Sequence, residues 1–262
     1  MPRSTDAADY QHVPRPVAAM LKHFPDGFRN EPHHHERGQL IFSTTGVMSV
    51  TTERGAWVVP PNRAVWMPAG VIHQVGMSGA VEMRTLYLRE DVARGLPMQT
   101  TVVAVSPLLR ELIVRATELP LLYDESGPAA RVMAVLIDEL RTLPALPLSL
   151  TMPADERLAR LCAELLHDPA DPRQLGEHAA QFGLSARTLA RLFRSGTGMT
   201  FGQWRQQARL FRALQRIAAG SPITRAALDV GYDSASAFSA MFRRTMGVAP
   251  SEYFGPDVAG PR

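Results

Sequence analysis

The hydrophobic period of the chain changes once, from short alternating runs to helical stripes, and that change divides it. From Gly38 to Leu88, apolar and β-branched runs (QLIFS, GVMSVTT, GAWVVP, AVWMP, VIHQV and VEMRTLYL) are separated by turn residues. Gly46, Gly55, Pro60-Pro61-Asn62, Pro68-Ala69-Gly70 and Ser78-Gly79 punctuate them. A spacing of roughly eight to ten residues predicts a small all-β antiparallel barrel or sandwich. After Ser106-Pro107 the period becomes helical, with Leu108, Leu109, Leu112, Ile113 and Ala116 on one stripe. A second helix over 128–143 carries Val132, Met133, Leu136, Ile137, Leu140 and Leu143 near heptad spacing. That stripe either packs on its own barrel or forms a homodimer seam with a second copy.

The segment 144–153, PALPLSLTMP, has three prolines and no helical pattern, and marks a domain boundary. Beyond it helices are predicted over 155–166, 174–182, 186–194, 201–219, 224–230 and 234–246. Residues 1–20 are polar and proline-containing and read as a flexible arm. The resulting order is an arm to 20, a barrel over 21–100, a helical dimerisation or relay segment over 101–146, a linker over 147–153, an all-α domain over 154–255, and a tail over 256–262.

Within the last domain, Ile223–Phe254 reads as a helix, a tight turn at Gly231, and a second helix with Phe238, Met241, Phe242 and Met246 on one face. Asp233 and Ser234 suit its N-cap; Gly247 and Pro250 stop it. Its punctuation recurs about 48 residues upstream. Ala179-x3-Gly183 repeats Ala227-x3-Gly231, and Phe193-x4-Gly198 repeats Phe242-x4-Gly247. Two helix-turn-helix units are therefore joined by one linking helix of about 28 Å, near the roughly 34 Å between successive major-groove faces.

Charge adds to this picture. The net formal charge of +3 is mild, but residues 1–151 hold 14 basic and 15 acidic residues while the rest hold 14 and 10. Between 185 and 246, ten arginines face only Asp229 and Asp233, a surplus suited to phosphates. The single cysteine, Cys162, excludes an intrachain disulfide framework and reads as core. No run reaches signal-peptide or membrane-span character, so a soluble, cytoplasmic protein is expected.

These residues carry a resemblance. The stretch 155–255, with GLSARTLARLFRSGTGMTF in its first unit and A-x3-GYDSASAF-x3-FRR-x2-G-x2-P-x2-Y in its second, resembles the DNA-binding domain of the AraC/XylS family of transcription regulators. The resemblance implies double-stranded promoter DNA as partner, admits RNA polymerase as a further one, and puts two recognition helices into adjacent major grooves. It assigns base reading to Arg187, Thr188, Ala190 and Arg191 in the first unit, with Arg194 beside them. In the second it assigns Ala235, Ser236, Ser239 and Ala240, with Ser234 at the helix start. Arginine can bridge guanine O6 and N7, whereas Ala and Ser offer only methyl contacts or weak hydroxyl bonds. The first unit is therefore expected to carry most specificity, with Arg243 and Arg244 anchoring phosphates.

In the β-rich half, His33-His34-His35, Gln39, Gly46 and then His73 after Pro68-Ala69-Gly70 resemble the cupin motifs. The departures are Gln39 where a glutamate ligand is usual, Asn62 in place of Gly, and Met77 in place of Asn. Alternate strand residues share a face, so His33, His35, Gln39 and His73 are candidate ligands of a divalent zinc, nickel, copper or iron ion. The alternative is a polar rim in a barrel that binds an organic effector. Phe42, Met48, Trp57 and Trp66 are candidate lining of an effector pocket. His12, His23, His167 and His178 read as surface residues. The reading as a whole is an effector-responsive transcription regulator that senses a small molecule or metal and is not an enzyme. Its rival is a cupin metalloenzyme with a helical appendage.

Overall fold

Strand β1 (Val17–Phe24) opens the N-terminal part in the computed structural model, which describes residues 4–61, 63–143, 145–146 and 149–254. Asn62, the 256–262 tail and part of the expected linker lie outside them. Contacts gather the described residues into two units, one within 4–52 and 57–146, the other within 53–56 and 149–254. In the first, β1 is followed by β2 (Gly38–Ser43), β3 (Val47–Thr52), β4 (Gly55–Val59), β5 (Arg63–Met67), β6 (Gln74–Ser78) and β7 (Val81–Leu88). A short helix α1 (Glu90–Ala93), strand β8 (Thr101–Ala104), helices α2 (Pro107–Glu118) and α3 (Pro128–Arg141), and strand β9 (Ala145–Leu146) complete it. One sheet has the order β1-β7-β2-β5-β8-β9; in the other, β3 lies between β4 and β6. The expected β-rich domain with accessory helices is thus found.

The register of β2 decides what each face does. Leu40 pairs with Trp66 and Leu86, and Phe42 with Ala64, so these side chains share one face. That face packs under Leu109, Ile113 and Ala116 of α2 and Met133, Leu136 and Leu140 of α3. The α3 stripe therefore rests on its own sheet. Gln39 and Ile41 point the other way, with Tyr87 and Thr85 across from them on β7.

Two expectations need correction here. Residues 1–20 are not a loose arm throughout: Ala7–Tyr10 form a 3-10 helix capped by Asp6, Tyr10 is buried, and Val17–Met20 are core residues of β1. The prolines that made the segment look irregular end before β1 begins. Phe42 and Trp66 do not line the interior, because the odd–even alternation of the strands sends them to the helix-covered face; Trp66 Nε1 donates to Pro97 O at 2.8 Å.

The second unit begins at β10 (Ser149–Thr151) and continues as α4 (Glu156–His167), α5 (Leu175–Gln181), α6 (Ala186–Thr197), α7 (Phe201–Ala218), α8 (Ile223–Asp229), α9 (Ala235–Met246) and α10 (Pro250–Tyr253). The repeated Ala-x3-Gly spacing has a local cause. After α5, Gly183 N donates to Ala180 O and Leu184 N to Ala179 O; after α8, Gly231 N donates to Leu228 O and Tyr232 N to Ala227 O. Each is a Schellman ending, which needs a left-handed residue, and both glycines have positive φ (65° and 84°). Ala179 and Ala227 are buried where a larger side chain would separate the two helices of a unit. Leu189, Phe193, Trp204, Phe238 and Phe242 are fully buried, as expected, with Phe193 edge-on to Trp204 at 5.8 Å.

Candidate nucleic-acid interface and sensor cavity

Ser185 and Ser234 cap α6 and α9 by accepting from the backbone N–H of Thr188 (3.1 Å) and Ala237 (3.2 Å). Ser234 is thereby committed to helix starting, and Thr188 Oγ1 shares a 2.9 Å hydrogen bond with Ser185. Amphipathicity does the rest: Leu189 and Phe193 turn inward, and Arg187, Arg191 and Arg194 stand exposed on α6. On α9, Phe238, Met241 and Phe242 turn inward. A shallow groove of about 690 Å³ runs over Ala235, Ser236, Ser239, Ala240, Arg243 and Arg244.

The arginines of this unit fall into three groups. Arg157, Arg173, Arg216 and Arg225 are paired with Asp155, Asp171 and Asp229. Arg205 and Arg209, on consecutive turns of α7, reach back to the α4–α5 loop. Arg205 donates to the carbonyls of Asp171 and Arg173, and Arg209 donates to Pro169 O at 2.9 Å while its guanidinium lies 5.7 Å from the Tyr232 ring centre. By contrast, Arg187, Arg191, Arg194, Arg243 and Arg244 form no ion pair among the described residues; Arg160 and Arg212, outside the recognition helices, share this freedom. The five on α6 and α9 are available to an external anion without breaking any internal bond.

His178, expected at the surface, is fully buried on α5 against Phe201, with ring centres 5.5 Å apart. Its neighbours Ala179 and Ala180 gave no periodic signal that it points inward. Burial holds its pKa below 6.5, although the Asp171 carboxylate 3.9 Å away pulls the other way. The hydrogen bonds from Arg173 hold Asp171 itself down at about 2.

In the first unit, an isolated antiparallel bridge joins His33 to His73 through N–H···O bonds of 2.9 and 2.8 Å. It brings the two rings to 4.3 Å, with His35 at 4.8 Å from His33. One nitrogen from each of the three rings lies within 4.8 Å of the others. Nδ1 of His33 donates to Glu31 O and Nδ1 of His73 to Val71 O, both at 2.9 Å, which leaves Nε2 as the free lone pair on each ring. The Nε2 atoms of His35 and His73 are buried without a hydrogen-bond partner, as is Gln39 Oε1, whose amide nitrogen is held by Thr85 Oγ1 at 3.0 Å. Burial, then the neighbouring imidazoles, pushes His35 down to about 3; burial also takes His73 to about 4, against its bond to Val71 O. Both rings are neutral at neutral pH, which is the metal-ligating form.

These four side chains share a cavity of about 460 Å³ with Met20, Phe24, Phe28, Ile41, Met77 and Met83. Of the four expected pocket residues, none lines it. Phe42 and Trp66 face the helices, Trp57 is buried elsewhere, and Met48 is buried beside its register partner Met77. Sequence reading missed Thr5, Asp6 and Ala7, which also line the cavity and which the assumption of a loose arm had set aside.

The family described as AraC-like ligand binding domain matches residues 17–182, and that described as helix-turn-helix domain matches 178–255. The chain belongs to the AraC family of transcriptional regulators. It is 33% identical to the HTH-type transcriptional regulator NimR of Escherichia coli K12, over 93% of this chain and 89% of that one. It is 31% identical to the arabinose operon regulatory protein of the same organism, over 44% of this chain and 40% of that protein. The crystal structure of ToxT from Vibrio cholerae O395 covers 91% of this chain and 98% of its own, with 10% identity and a TM-score of 0.39. This AraC-family regulator thus joins a ligand-binding domain, starting at the first residue of β1, to a helix-turn-helix DNA-binding domain. Among the described residues, no helix is long and apolar enough to cross a membrane.

Proposed function

We propose that this AraC-family regulator holds a divalent transition metal in its sensor cavity and reads promoter DNA chiefly through α6. His33, His35 and His73 would hold the ion, with Gln39 as a weak fourth donor. The observation that carries the reading is the triad itself: three imidazole nitrogens within 4.8 Å, with Nδ1 of His33 and His73 fixed by backbone carbonyls. Carbonyls on the far nitrogen are the usual way a protein aims metal-binding histidines. The orphaned Nε2 and Oε1 atoms would otherwise be buried polar groups left unsatisfied. Imidazole suits zinc, nickel, copper or iron. A bound ion would supply a Lewis-acidic docking point in a cavity whose other walls mix apolar and polar side chains.

In this reading the chain is not an enzyme. It works in the cytoplasm on double-stranded promoter DNA, alongside RNA polymerase, and the cavity's occupant sets its DNA affinity. Arg187 and Arg191 read bases, Arg243 and Arg244 anchor phosphates, and Thr188, Arg194, Ser236 and Ser239 add contacts beside them. Elemental analysis of the full chain, purified under metal-replete conditions, tests the metal. About one ion per chain is expected, reduced at least tenfold in His33→Ala and His73→Ala. A metal-free wild-type protein, or variants with undiminished metal, would overturn it.

A further inference from the structure

We propose that the effector is a small apolar carboxylate whose head binds at the histidine end of the sensor cavity and whose body fills the Met/Phe-lined remainder; this rests on the metal reading above. Size comes first. A cavity of about 460 Å³ is far larger than one ion and its water need, since a water occupies about 30 Å³, and it falls in the range of small-molecule sites. Its walls then set the body. Met20, Met77 and Met83 with Phe24, Phe28 and Ile41 offer an adaptable apolar wall for the body, beside the polar groups of Thr5, Asn30 and Tyr87.

Charge sets the head. The donor set would be three imidazole lone pairs and one carboxamide oxygen, none bringing negative charge, so a divalent ion would bring an uncompensated double charge into a site where His35, Gln39 and His73 are buried. Isolated charge in such surroundings is costly, and an anionic donor removes half of it. Among the described residues, no buried carboxylate lines the cavity to do so. Of the acidic residues lining the cavity, Asp6 and Glu31 are exposed, and the Asp6 carboxylate is engaged by Ala8 N at 3.0 Å. The remaining charged lining residue is Lys22, which donates to Thr5 O at 3.0 Å over the Phe24 ring and has no ion-pair partner among the described residues. Gln39 presents a neutral amide with its Oε1 buried and unpartnered, so the missing negative charge is left for the effector to bring.

The test uses the full chain loaded with cobalt(II), whose visible spectrum reports its ligands. Phenylacetate and decanoate are titrated separately, each against its isosteric primary amide. A saturable spectral change is expected with at least one carboxylate, its amide binding at least tenfold more weakly. Calorimetry on metal-free protein should show the carboxylate binding at least tenfold more weakly as well. A cobalt spectrum that neither carboxylate alters, or equal binding of acid and amide, would overturn the effector class and leave the metal site standing. Absence of any protein-bound cobalt spectrum would overturn the metal reading, and this one with it.

Discussion

Replacing Arg191 by alanine separates base reading from phosphate anchoring. Arg191 is exposed on α6, forms no ion pair among the described residues, and lies between Leu189 and Phe193, whose burial keeps the helix in place without it. Its loss should therefore leave the fold intact and appear only in DNA binding. A bidentate arginine–guanine contact is worth about 1–3 kcal/mol, so affinity for a preferred duplex should fall roughly five- to 150-fold. A phosphate contact behaves differently. It lowers the slope of log K against log salt by about 0.9, equivalent to roughly 2.7-fold for a threefold change in salt, on every sequence alike. Fluorescence anisotropy at three salt concentrations, on a duplex selected from a random pool by the full chain, distinguishes the two. Arg191→Ala should lose most of its effect on a duplex whose guanine under α6 has been changed, whereas Arg244→Ala should weaken both duplexes equally. Uniform weakening by Arg191→Ala, or greater losses from base changes under α9 than under α6, would refute the assignment of reading to the first unit.

The two Schellman glycines give a paired stability prediction. A Cβ at Gly183 meets nothing within 4 Å, whereas one at Gly231 would stand 2.8 Å from Arg209 Nη2 and 2.9 Å from Ala170 Cα. Gly183→Ala should cost about 1 kcal/mol and Gly231→Ala about 2–3 kcal/mol by urea denaturation, and equal costs would contradict the close packing at the second turn. His178 has its pKa lowered by burial, so the unfolded chain binds its proton first. Stability from this residue is full above pH 6.5 and declines as pH falls from there toward the lower folded value. His178→Phe should flatten that part of a melting-temperature profile, leaving the separate loss near pH 2–4 that follows from Asp171. Leu136→Ala, on the buried face of α3, should destabilise the sensor unit by about 2–5 kcal/mol, and a cost under 1 kcal/mol would show that α3 does not hold the sheet as described.

The DNA-binding half was legible because its signals are local. Caps, Schellman glycines and a 3.6-residue period each act within a few residues, and Ala-x3-Gly with Phe-x4-Gly marks both units. The sensor half was less so. Strand runs were found where residues alternate, but β1 reads VAAMLKHF, apolar on both faces for its first four residues and preceded by prolines. The faces of β2 could not be told apart from sequence, since one lies under helices and the other lines a cavity, and both demand apolar residues. Hence Phe42 and Trp66 were placed on the wrong side while Ile41 and Tyr87 went unremarked. The histidines were found because His33 and His35 are two apart and His73 follows a turn, but nothing local could show that the His33–His73 bridge would aim their lone pairs together.

Arg205 and Arg209 tie the linking helix to the α4–α5 loop, and Arg209 also lies against Tyr232 in the turn between α8 and α9. One rigid rod therefore fixes the rotational phase between the two reading heads. Inserting a single residue into α7 would turn the second head by about 100° while advancing it only about 1.5 Å. If both heads read DNA as proposed, operator spacing would be locked to the helical phase of the rod, and a new spacing would require rebuilding both clasps at once.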